Sequence, residues 1–421
     1  MDKKNIIIGF VGMTHLGLVS AICAAEKGFF VYCFDDNKDH IDNLTSMNLD
    51  INEPDLKKLL DKNYRNMKFT NNLNDLNDLD IIYVAPDIPT NDQGESNLDT
   101  IDEYLEKLLP LDKHQKVTVI LSQVPPGFTR NYEKKFSNLF YQVETLIFGD
   151  AVNRSLKPER YIIGTNNPNN KLNTRYETFL LSYGCPILKM KYESAELAKI
   201  SINMFLVSSV TTANLISELC EKIDADFTEI IPTLKLDKRI GEYAYLNPGL
   251  GISGGNLERD LETFSRLANI NSTDYKVVKS WIDNSKNRKK WPIKILNEKI
   301  LINHTNLKIS IFGLSYKINT HSVKNSPSIE LIKKLENCDI EIYDPIINEI
   351  KIKNKLYKTI NSFDEETIFG DVIIVMNQSK EFYKINDSNK LDLVKYFIDP
   401  FKVIDDKKIV TSKKYFTLGK S

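Results

Sequence analysis

The sequence has no excess charge of either sign, few histidines and few cysteines, and each of these features excludes a class of partner or site. Its 56 Lys and Arg residues are balanced by 57 Asp and Glu, so the formal net charge is −1 and the composition favours neither nucleic acid nor a membrane surface as a partner. The five histidines are dispersed and give no reason to predict a metal site. The five cysteines are scattered without CxxC spacing, as expected of reduced core residues in a cytoplasmic protein.

Long apolar runs and targeting signals are also missing from the sequence. No stretch of about 20 residues is apolar throughout, so we predict no membrane span. The start MDKKNIIIGFVG has too short an apolar run for a signal peptide. The 421 residues, of which 42% are hydrophobic and 27% charged, are sufficient for two or three globular domains.

Strand and helix patterns alternate in the first part of the chain. Residues 5–11 predict a buried parallel strand, residues 18–28 a helix closed by glycine, and residues 29–36 a second strand that ends in acids. Together they form one βαβ unit. Further extended segments are predicted at 79–86, 116–127, 145–151 and 160–164.

The pattern becomes helical in the middle of the chain. Residues 192–226 keep helical periodicity without Pro or Gly inside the run, which predicts a helix about 45 Å long of the kind that links domains or forms dimer interfaces. Two more helical patterns follow, at 257–269 and 272–291.

A second βα series begins near residue 307. We predict a helix at 326–338 and strands at 307–314, 339–345, 370–377 and 402–406. The fold class is therefore α/β: two Rossmann-like doubly wound domains joined by a long central helix and a helical domain. We place the domain boundaries at 1–188, 189–300 and 301–421.

The first glycine turn carries a nucleotide-binding signal. Gly12 and Gly17 match the outer glycines of the G-x-G-x-x-G pattern, but Thr14 replaces the middle one. Asp35 ends the next strand about 20 residues later, where a carboxylate accepts hydrogen bonds from the adenosine ribose and disfavours a 2′-phosphate. This predicts NAD rather than NADP; a Rossmann-like domain without a cofactor is the alternative.

Seven segments together resemble one family, the nucleotide-sugar dehydrogenases that include UDP-glucose 6-dehydrogenase and GDP-mannose dehydrogenase. The resemblance covers essentially the whole chain. It implies an NAD domain, a central helical domain that forms a homodimer, and a C-terminal domain for a UDP-sugar. The segments are IGFVGMTHLG, LSQVPPGFT, VETLIFGDA, AELAKISIN, LDKRIG, PGLGISGGNLERD and FGLSYKINTHSVKNSPS.

The resemblance also implies roles for individual residues. The residues implied for NAD binding are Gly12, Thr14, His15, Leu16, Gly17, Asp35, Lys38, Pro86, Ser122, Gln123 and Arg259. The residues implied for substrate binding are Leu146, Arg239, Tyr245, Gly254, Lys317 and Lys324. The residues implied for catalysis are Glu144, Lys199, Asn203, Asn256 and Asp260.

Three positions depart from the family pattern in ways that affect the chemistry. Asn256 stands where the family carries a nucleophilic cysteine, Phe148 replaces a glutamate, and Lys324 replaces an arginine, which loses bidentate recognition. The family thiolate captures an aldehyde and allows a second oxidation through a thioester, whereas a carboxamide forms no such adduct. We therefore expect a two-electron oxidation.

Three forms of that oxidation remain open. The form we favour oxidises C4 of UDP-glucuronate, after which the β-keto acid loses CO2 and leaves a UDP-4-keto-pentose. The others are epimerisation of a UDP-sugar, and C6 oxidation through an aldehyde hydrate as in a UDP-glucose 6-dehydrogenase. A catalytically inactive sugar-nucleotide binder is the alternative from another functional class.

Ordinary structural roles are also open for three of the proposed catalytic residues. Lys199 and Asn203 are four residues apart in the long predicted helix, where they would serve as a solvated or capping pair. Asp260 would serve as the N-cap of the helix that follows it.

Overall fold

The computed structural model describes residues 5–91, 95–113, 116–302, 304, 306–335, 338–409 and 414–420. The chain divides into two compact units, Met1–Ile202 and Asn203–Ser421, called unit 1 and unit 2 below.

Unit 1 alternates strands and helices along most of its length. Its strands are β1 Ile7–Val11, β2 Phe30–Phe34, β3 Met67–Thr70, β4 Ile81–Val84, β5 Val117–Ile120, β6 Leu139–Gln142, β7 Tyr161–Thr165 and β8 Ile187–Lys191. Its helices are α1 His15–Glu26, α2 Lys38–Thr45, α3 Leu56–Asn63, α4 Asp99–Leu108, α5 Phe128–Tyr132, α6 Ala151–Leu156, α7 Thr174–Leu181 and the start of α8 Tyr192–Ile223, within which the unit boundary falls.

The strands of unit 1 form one doubly wound sheet. Its order over the described residues is β3-β2-β1-β4-β5-β6-β7-β8, and only the β6–β7 pair is antiparallel among the pairs so aligned. The first six strands follow the order of dinucleotide-binding sheets, in which the chain reverses direction between β1 and β4. The carboxyl ends of those two strands are therefore the expected position of a ligand.

Helix α1 is almost entirely buried, because it lies between the sheet and the helices α3 and α6. Small residues such as Ala21, Ala24 and Ala25 allow this close packing. The apolar run that begins at Leu16 is thus a core element, and its N-terminus is fixed at the carboxyl end of β1.

Glu196, near the beginning of α8, is a buried acid that fixes the start of α5. Its carboxylate accepts hydrogen bonds from the backbone N–H groups of Gly127 (2.6 Å) and Thr129 (2.8 Å), and the residue is 1% exposed. These two amides would otherwise lack a partner at a helix start. Glu196 thereby attaches α8 to the segment that follows β5, which includes Ser122 and Gln123.

Unit 2 contains a helical bundle and a second parallel sheet. Its further helices are α9 Phe227–Leu236, α10 Asn256–Ile270, α11 Lys276–Lys289, α12 Trp291–Ile295, continued by a π-helical turn at Leu296–Leu301, and α13 Pro327–Ile332. Its strands are β9 Lys308–Phe312, β10 Asp339–Tyr343, β11 Glu349–Ile352, β12 Lys355–Lys358, β13 Val372–Val375, β14 Tyr396–Ile398 and β15 Lys414–Phe416. The parallel sheet has the order β10-β9-β13-β14-β15 in the described residues, and β11 and β12 form an antiparallel hairpin.

The helical bundle and the second sheet belong to one unit because the end of the chain docks on the bundle. Gly419 accepts a hydrogen bond from Phe227 N (2.8 Å) and donates one to Glu221 (3.1 Å). Glu221 also accepts from Trp291 Nε1 at 3.0 Å and lies 3.5 Å from the guanidinium of the buried Arg288. The boundary predicted at residues 300 and 301 remains a prediction about domain organisation.

Three predicted elements differ from the structure. Residues 145–151 form a loop rather than a strand, and the strand of that region is β6, just before it. Residues 402–406 are not a strand either: Val403 and Ile404 fill the core from a loop, while β14 and β15 provide the sheet pairing. The predicted helix at 326–338 ends at Ile332. Burial explains the apolar residues at 403 and 404, which lie outside any strand, whereas Ile147 and Phe148 are 44% and 47% exposed.

The long central helix is confirmed: α8 has 32 residues and ends at Ile223, before the end of the predicted run at 226. By length and composition alone it is also a candidate membrane span, since its most apolar 18-residue window has a mean hydropathy of 1.4. Core helices pass the same test, and α8 carries buried polar side chains such as Asn214 and Ser217. The absence of a membrane span therefore stays a prediction.

The pH dependence of unfolding should distinguish two acids at the beginning of α8. Burial raises the pKa of the Glu196 carboxyl group. Just above about pH 4.3 the native state therefore still holds the carboxyl proton, whereas the unfolded chain has released it. The contribution of Glu196 to the free energy of unfolding must therefore fall as pH rises from about 4.3 to the raised pKa. Glu196→Gln should remove this dependence of the unfolding free energy on pH. Urea unfolding from about pH 4 to about pH 8 measures it.

Glu193, one turn earlier in α8, is the matched control. Its hydrogen bonds to Arg130 lower its pKa, so its contribution is present above about pH 4.3 and is lost as pH falls. Glu193→Gln should therefore remove a slope of the opposite sign. Equal pH profiles for the two variants would contradict this assignment.

Candidate active site

The turn between β1 and α1 is built around two glycines that tolerate no side chain. Gly12 has a φ of +90°, and a Cβ there would lie 2.7 Å from the backbone nitrogen of Pro86. A Cβ on Gly17 would lie 1.9 Å from the carbonyl oxygen of Gly12. The first glycine brings the turn against the end of β4, and the second brings the first turn of α1 against the turn itself.

Thr14, at the position of the missing middle glycine, has an ordinary backbone conformation with a φ of −73°. Its Oγ1 accepts a hydrogen bond from the N–H of Asp87 (2.8 Å). The carboxylate of Asp87 accepts in turn from the N–H of His15, the first residue of α1 (3.1 Å). Threonine is therefore compatible with the fold, and a carboxylate lies at the helix start where a pyrophosphate would bind.

Asp35 follows β2 and faces the same turn. Its two carboxylate oxygens accept hydrogen bonds from Met13 N (2.8 Å) and Asn37 N (3.0 Å). Each carboxylate oxygen has two lone pairs, so both retain capacity for a ribose hydroxyl. The turn glycines, the start of α1 and this acid fit the adenosine and pyrophosphate of NAD.

Among the other residues predicted to bind the cofactor, those of unit 1 lie in the segments that follow its strands or begin its helices, whereas Arg259 is buried in unit 2 beside Asp260. Ser122, after β5, donates a hydrogen bond to the carbonyl oxygen of Pro86 at 2.5 Å and so joins the ends of two neighbouring strands. Lys38 is exposed at the start of α2. Leu16 is buried in the core, so only its backbone faces the turn. Gln123 is half-buried in the segment after β5.

The loop from Val143 to Asp150 contains two further predicted residues. Glu144 accepts a hydrogen bond from the N–H of Leu146, which makes a tight turn directly after β6. Phe148, at the position of the second family glutamate, lies against the ring of His15, with ring centroids 4.0 Å apart. The loop of residues 143–150 and the glycine turn of unit 1 are therefore in contact.

In unit 2 the segment PGLGISGGNLERD lies against the loop that follows β9. Gly254 donates a hydrogen bond from its N–H to the carbonyl oxygen of Lys324 (3.1 Å), and a Cβ on Gly254 would lie 2.5 Å from the ring of Tyr316. Gly255 has a φ of +94° and caps α10. These glycines bring the backbone of the segment against the loop, which explains their presence.

Asn256 is the first residue of α10, and its side chain is exposed. One turn further, Asp260 is 1% exposed and accepts hydrogen bonds from Asn203 Nδ2 (2.5 Å) and Arg259 Nε (3.3 Å). The interpretation of Asp260 as an N-cap is wrong, because Gly255 occupies that position. Asn203 is buried in this pair rather than solvated.

Glu258 was not among the predicted residues, yet it fastens the start of α10. It forms an ion pair with the buried Lys289 of α11 (3.0 Å) and accepts a hydrogen bond from Asn325 in the loop after β9. A lone acid inside a helical pattern gave no signal of this role in the sequence.

The remaining residues predicted for substrate binding and catalysis lie at separate positions in the two units. Arg239 is 88% exposed on its side chain and pairs with its neighbour Asp237. Tyr245 is also exposed, and Lys317 lies 5.7 Å from the centroid of the Tyr316 ring. Lys199 is half-buried on the part of α8 that belongs to unit 1.

Three family models match the chain in the order of these elements. Their descriptions are the NAD binding domain (6–180), the central domain (193–287) and the UDP binding domain (310–411) of the UDP-glucose/GDP-mannose dehydrogenase family. The chain belongs to this family. The UDP-glucose 6-dehydrogenase of Rickettsia typhi is 32% identical over 436 residues, which cover 98% of this chain and 99% of the relative.

A second relative has the same named activity, and two solved structures share the fold. The UDP-glucose 6-dehydrogenase TuaD of Bacillus subtilis is 29% identical over 80% of this chain and 76% of its own. The structure of a UDP-glucose dehydrogenase from Pyrobaculum islandicum matches with a TM-score of 0.83 at 20% identity, covering 100% of this chain and 99% of that chain. The UDP-D-ManNAc dehydrogenase of Pyrococcus horikoshii has a TM-score of 0.82 at 19% identity, covering 98% and 99%.

Family membership confirms the predicted enzyme class, an NAD-dependent nucleotide-sugar oxidoreductase, together with NAD as the cofactor and the α/β fold with a Rossmann-type domain. The match to a UDP binding domain supports a UDP-sugar as the substrate. Helix α8 falls within the matched central domain of this enzyme family.

Asp35→Asn should weaken NAD binding about tenfold, because the amide replaces a charged acceptor of the ribose hydroxyls. The discrimination against NADP should fall with it. Fluorescence titration with each cofactor measures both effects. Asp36→Asn is the matched control, since Asp36 pairs with the exposed Lys107 at 2.7 Å and should leave both affinities unchanged. An undiminished preference for NAD in Asp35→Asn would exclude this assignment.

Asp87→Asn should have the opposite effect and tighten NAD binding by about threefold to tenfold. The variant keeps an oxygen for the N–H of His15 but removes a negative charge from the pyrophosphate position. The gain should shrink as salt is added, since the charge is near the surface. The same titration tests it, and weaker binding by the variant would show that the carboxylate assists the cofactor.

Proposed function

We propose that this protein is an NAD-dependent dehydrogenase that removes one hydride from C4 of UDP-glucuronate, after which the sugar loses CO2 to give a UDP-4-keto-pentose. The observation that carries the proposal is the identity and position of Asn256. Asn256 occupies the position at which the family pattern has its thiol. It is exposed at the start of α10, one turn from the buried Asp260. Without sulfur at this position, the thioester route to a second oxidation is closed.

The cysteines of unit 2 do not substitute for that thiol in the arrangement described. Cys220 is buried in the helical bundle among residues such as Ala213 and Phe227. Cys338 precedes β10 beside the core of the second sheet, and burial raises the pKa of its thiol, which disfavours the nucleophilic thiolate. Both side chains therefore serve as core residues.

A substrate carboxylate fits the surroundings of Asn256. The 15-residue helix α10 directs its N-terminal N–H groups towards this point. The side chain of Lys324 lies beside Gly255. A Cβ added to Gly255 would be 3.4 Å from Nζ of Lys324. An amide, a helix N-terminus and an ammonium group together suit the C6 carboxylate of a uronate better than a neutral hydroxymethyl group.

The chemistry balances with one cofactor and one base. Bound NAD would accept the hydride from C4, and the hydroxyl proton would pass to a protein base or a water molecule held by one. We assign Asp260 to hold that water, because it lies one turn from Asn256 and is fixed there by hydrogen bonds from Asn203 and Arg259. The resulting ketone is β to the carboxylate, so the C5–C6 bond breaks with release of CO2 and a proton returns to C5.

The assembly we propose is a homodimer through the central helical domain. Helix α8 presents an exposed row of residues at helical spacing that no described residue of unit 2 covers: Phe205 (77% exposed), Thr212, Leu215, Leu219 and Ile223. An apolar row of this length is typical of a helix that packs against a second copy. Arg239, exposed on unit 2, would then reach the sugar nucleotide of the partner.

C6 oxidation of UDP-glucose is the second candidate. It is favoured by relatives such as the UDP-glucose 6-dehydrogenase of Rickettsia typhi, at 32% identity over 98% of this chain. It would require the second oxidation to proceed through an aldehyde hydrate, because Asn256 provides no covalent adduct.

Turnover of purified protein with NAD and either UDP-glucuronate or UDP-glucose separates these reactions. We expect one NADH per UDP-glucuronate consumed and a product lighter by one CO2 in the mass spectrum. Two NADH per UDP-glucose with formation of UDP-glucuronate would establish the second candidate. An isobaric product without net NADH would indicate an epimerase, and saturable sugar binding without turnover would indicate an inactive binder.

Asn256→Asp tests the proposed contact between Asn256 and the C6 carboxylate of the substrate, because it adds a negative charge without changing the shape of the side chain. A negative charge at this position should raise the KM for UDP-glucuronate by at least about a hundredfold, since two carboxylates repel at hydrogen-bond distance. The affinity for UDP-glucose, which lacks the acid, should change far less. Asn287→Asp on the exposed side of α11 is the control. Equal losses for both sugars would contradict a carboxylate at Asn256.

A further inference from the structure

One buried carboxylate in unit 1 connects two segments of predicted function without belonging to either. Glu53 lies in the loop between α2 and α3, and its side chain is 1% exposed. Both of its oxygens accept the N–H of Gly149 (2.9 and 3.0 Å), and Oε2 is 3.4 Å from Ala151 N. Glu53 thus holds the end of the loop that carries Glu144 and Leu146.

The same carboxylate holds the nucleotide turn. Its Oε1 lies 2.8 Å from Nε2 of His15, whose side chain is 10% exposed. The backbone N–H of His15 is at the start of α1, where the pyrophosphate of NAD would bind, while its ring reaches Glu53. One residue therefore faces the cofactor with its backbone and the buried acid with its side chain.

An aromatic contact closes the arrangement. The ring of Phe148 stacks on the ring of His15 at 4.0 Å between centroids and 30° between planes, although Phe148 is 47% exposed. The loop of residues 143–150 consequently contacts His15 directly through Phe148 and indirectly through Glu53. Val143 at the start of the loop donates its N–H to Ile162 O of β7 (3.0 Å), and Thr145 O accepts from Arg154 Nε (2.7 Å). Residues 144–148 lie outside the strands and helices, so their order depends on such side-chain contacts.

We propose that Glu53 is a positioning residue that transmits the binding of NAD at the His15 turn to the order of the loop that bears Glu144 and Leu146. A cofactor that restrains His15 also restrains Glu53, and Glu53 fixes the amides of Gly149 and Ala151. The inference depends on the NAD site alone and is independent of which sugar carbon is oxidised.

Hydrogen exchange with NAD alone provides the test. In the wild-type protein, saturating NAD should slow amide exchange in peptides that cover residues 144–151. Glu53→Gln retains one oxygen but replaces the other with an NH2 group that cannot accept from Gly149 or His15. NAD should still bind to this variant within about threefold of the wild-type affinity, but the protection of 144–151 should be lost.

Two further variants keep the test decisive. Phe148→Ala removes only a half-exposed contact and should reduce the NAD-dependent protection without affecting the fold. Glu103→Gln, an exposed acid of α4, should leave it unchanged. Equal NAD-dependent protection in Glu53→Gln and wild type, or no protection in the wild type, would overturn the proposal. If Glu53→Gln does not fold and Phe148→Ala retains full protection, the carboxylate is structural only and the proposal also fails.

Discussion

The approach of α1 to the end of β1 is the constraint on which the nucleotide site depends. A side-chain carbon at Gly17 would come within 1.9 Å of the carbonyl oxygen of Gly12, so the helix can begin this close to the strand only without one. Its first N–H groups are thereby held beside the carboxyl ends of β1 and β4. Asp35, Asp87 and His15 all obtain their positions from this turn, since each is hydrogen-bonded to its backbone or forms part of it.

Carboxylates that accept several hydrogen bonds, from backbone N–H groups at Glu196 and Glu53 and from side chains at Glu258, recur in the described residues and order the loops around both sets of predicted residues. Glu196 fixes the segment after β5, Glu53 fixes the loop after β6, and Glu258 fixes the start of α10 through Lys289 and Asn325. Loops have few apolar contacts, so a buried charge with several donors is an effective way to give them one conformation. The price is sensitivity to the loss of any partner.

The sequence predicted most of the fold because buried parallel strands appear as short apolar runs and α8 carries helical periodicity. The glycine pattern with Asp35 located the NAD turn. The sequence did not predict the loop at 145–151, whose apolar residues Ile147 and Phe148 are 44% and 47% exposed and pair with no described strand. Glu53, Asp87 and Glu258 were missed because isolated acids in loops or helices show no spacing signal. Their partners are 96, 72 and 67 residues away in the chain, at distances that only the folded structure reveals.

The backbone around residue 256 is set by its neighbours rather than by its own side chain. Gly254 against Tyr316, the left-handed Gly255 and the hydrogen bond to Lys324 define the path of the chain, while the side chain of Asn256 points outward. A change of functional group at this single position therefore meets no steric or conformational resistance. The backbone that presents this position can therefore carry a thiol or an amide alike, and the choice between a nucleophile and a hydrogen-bonding group is separate from the folding of the segment.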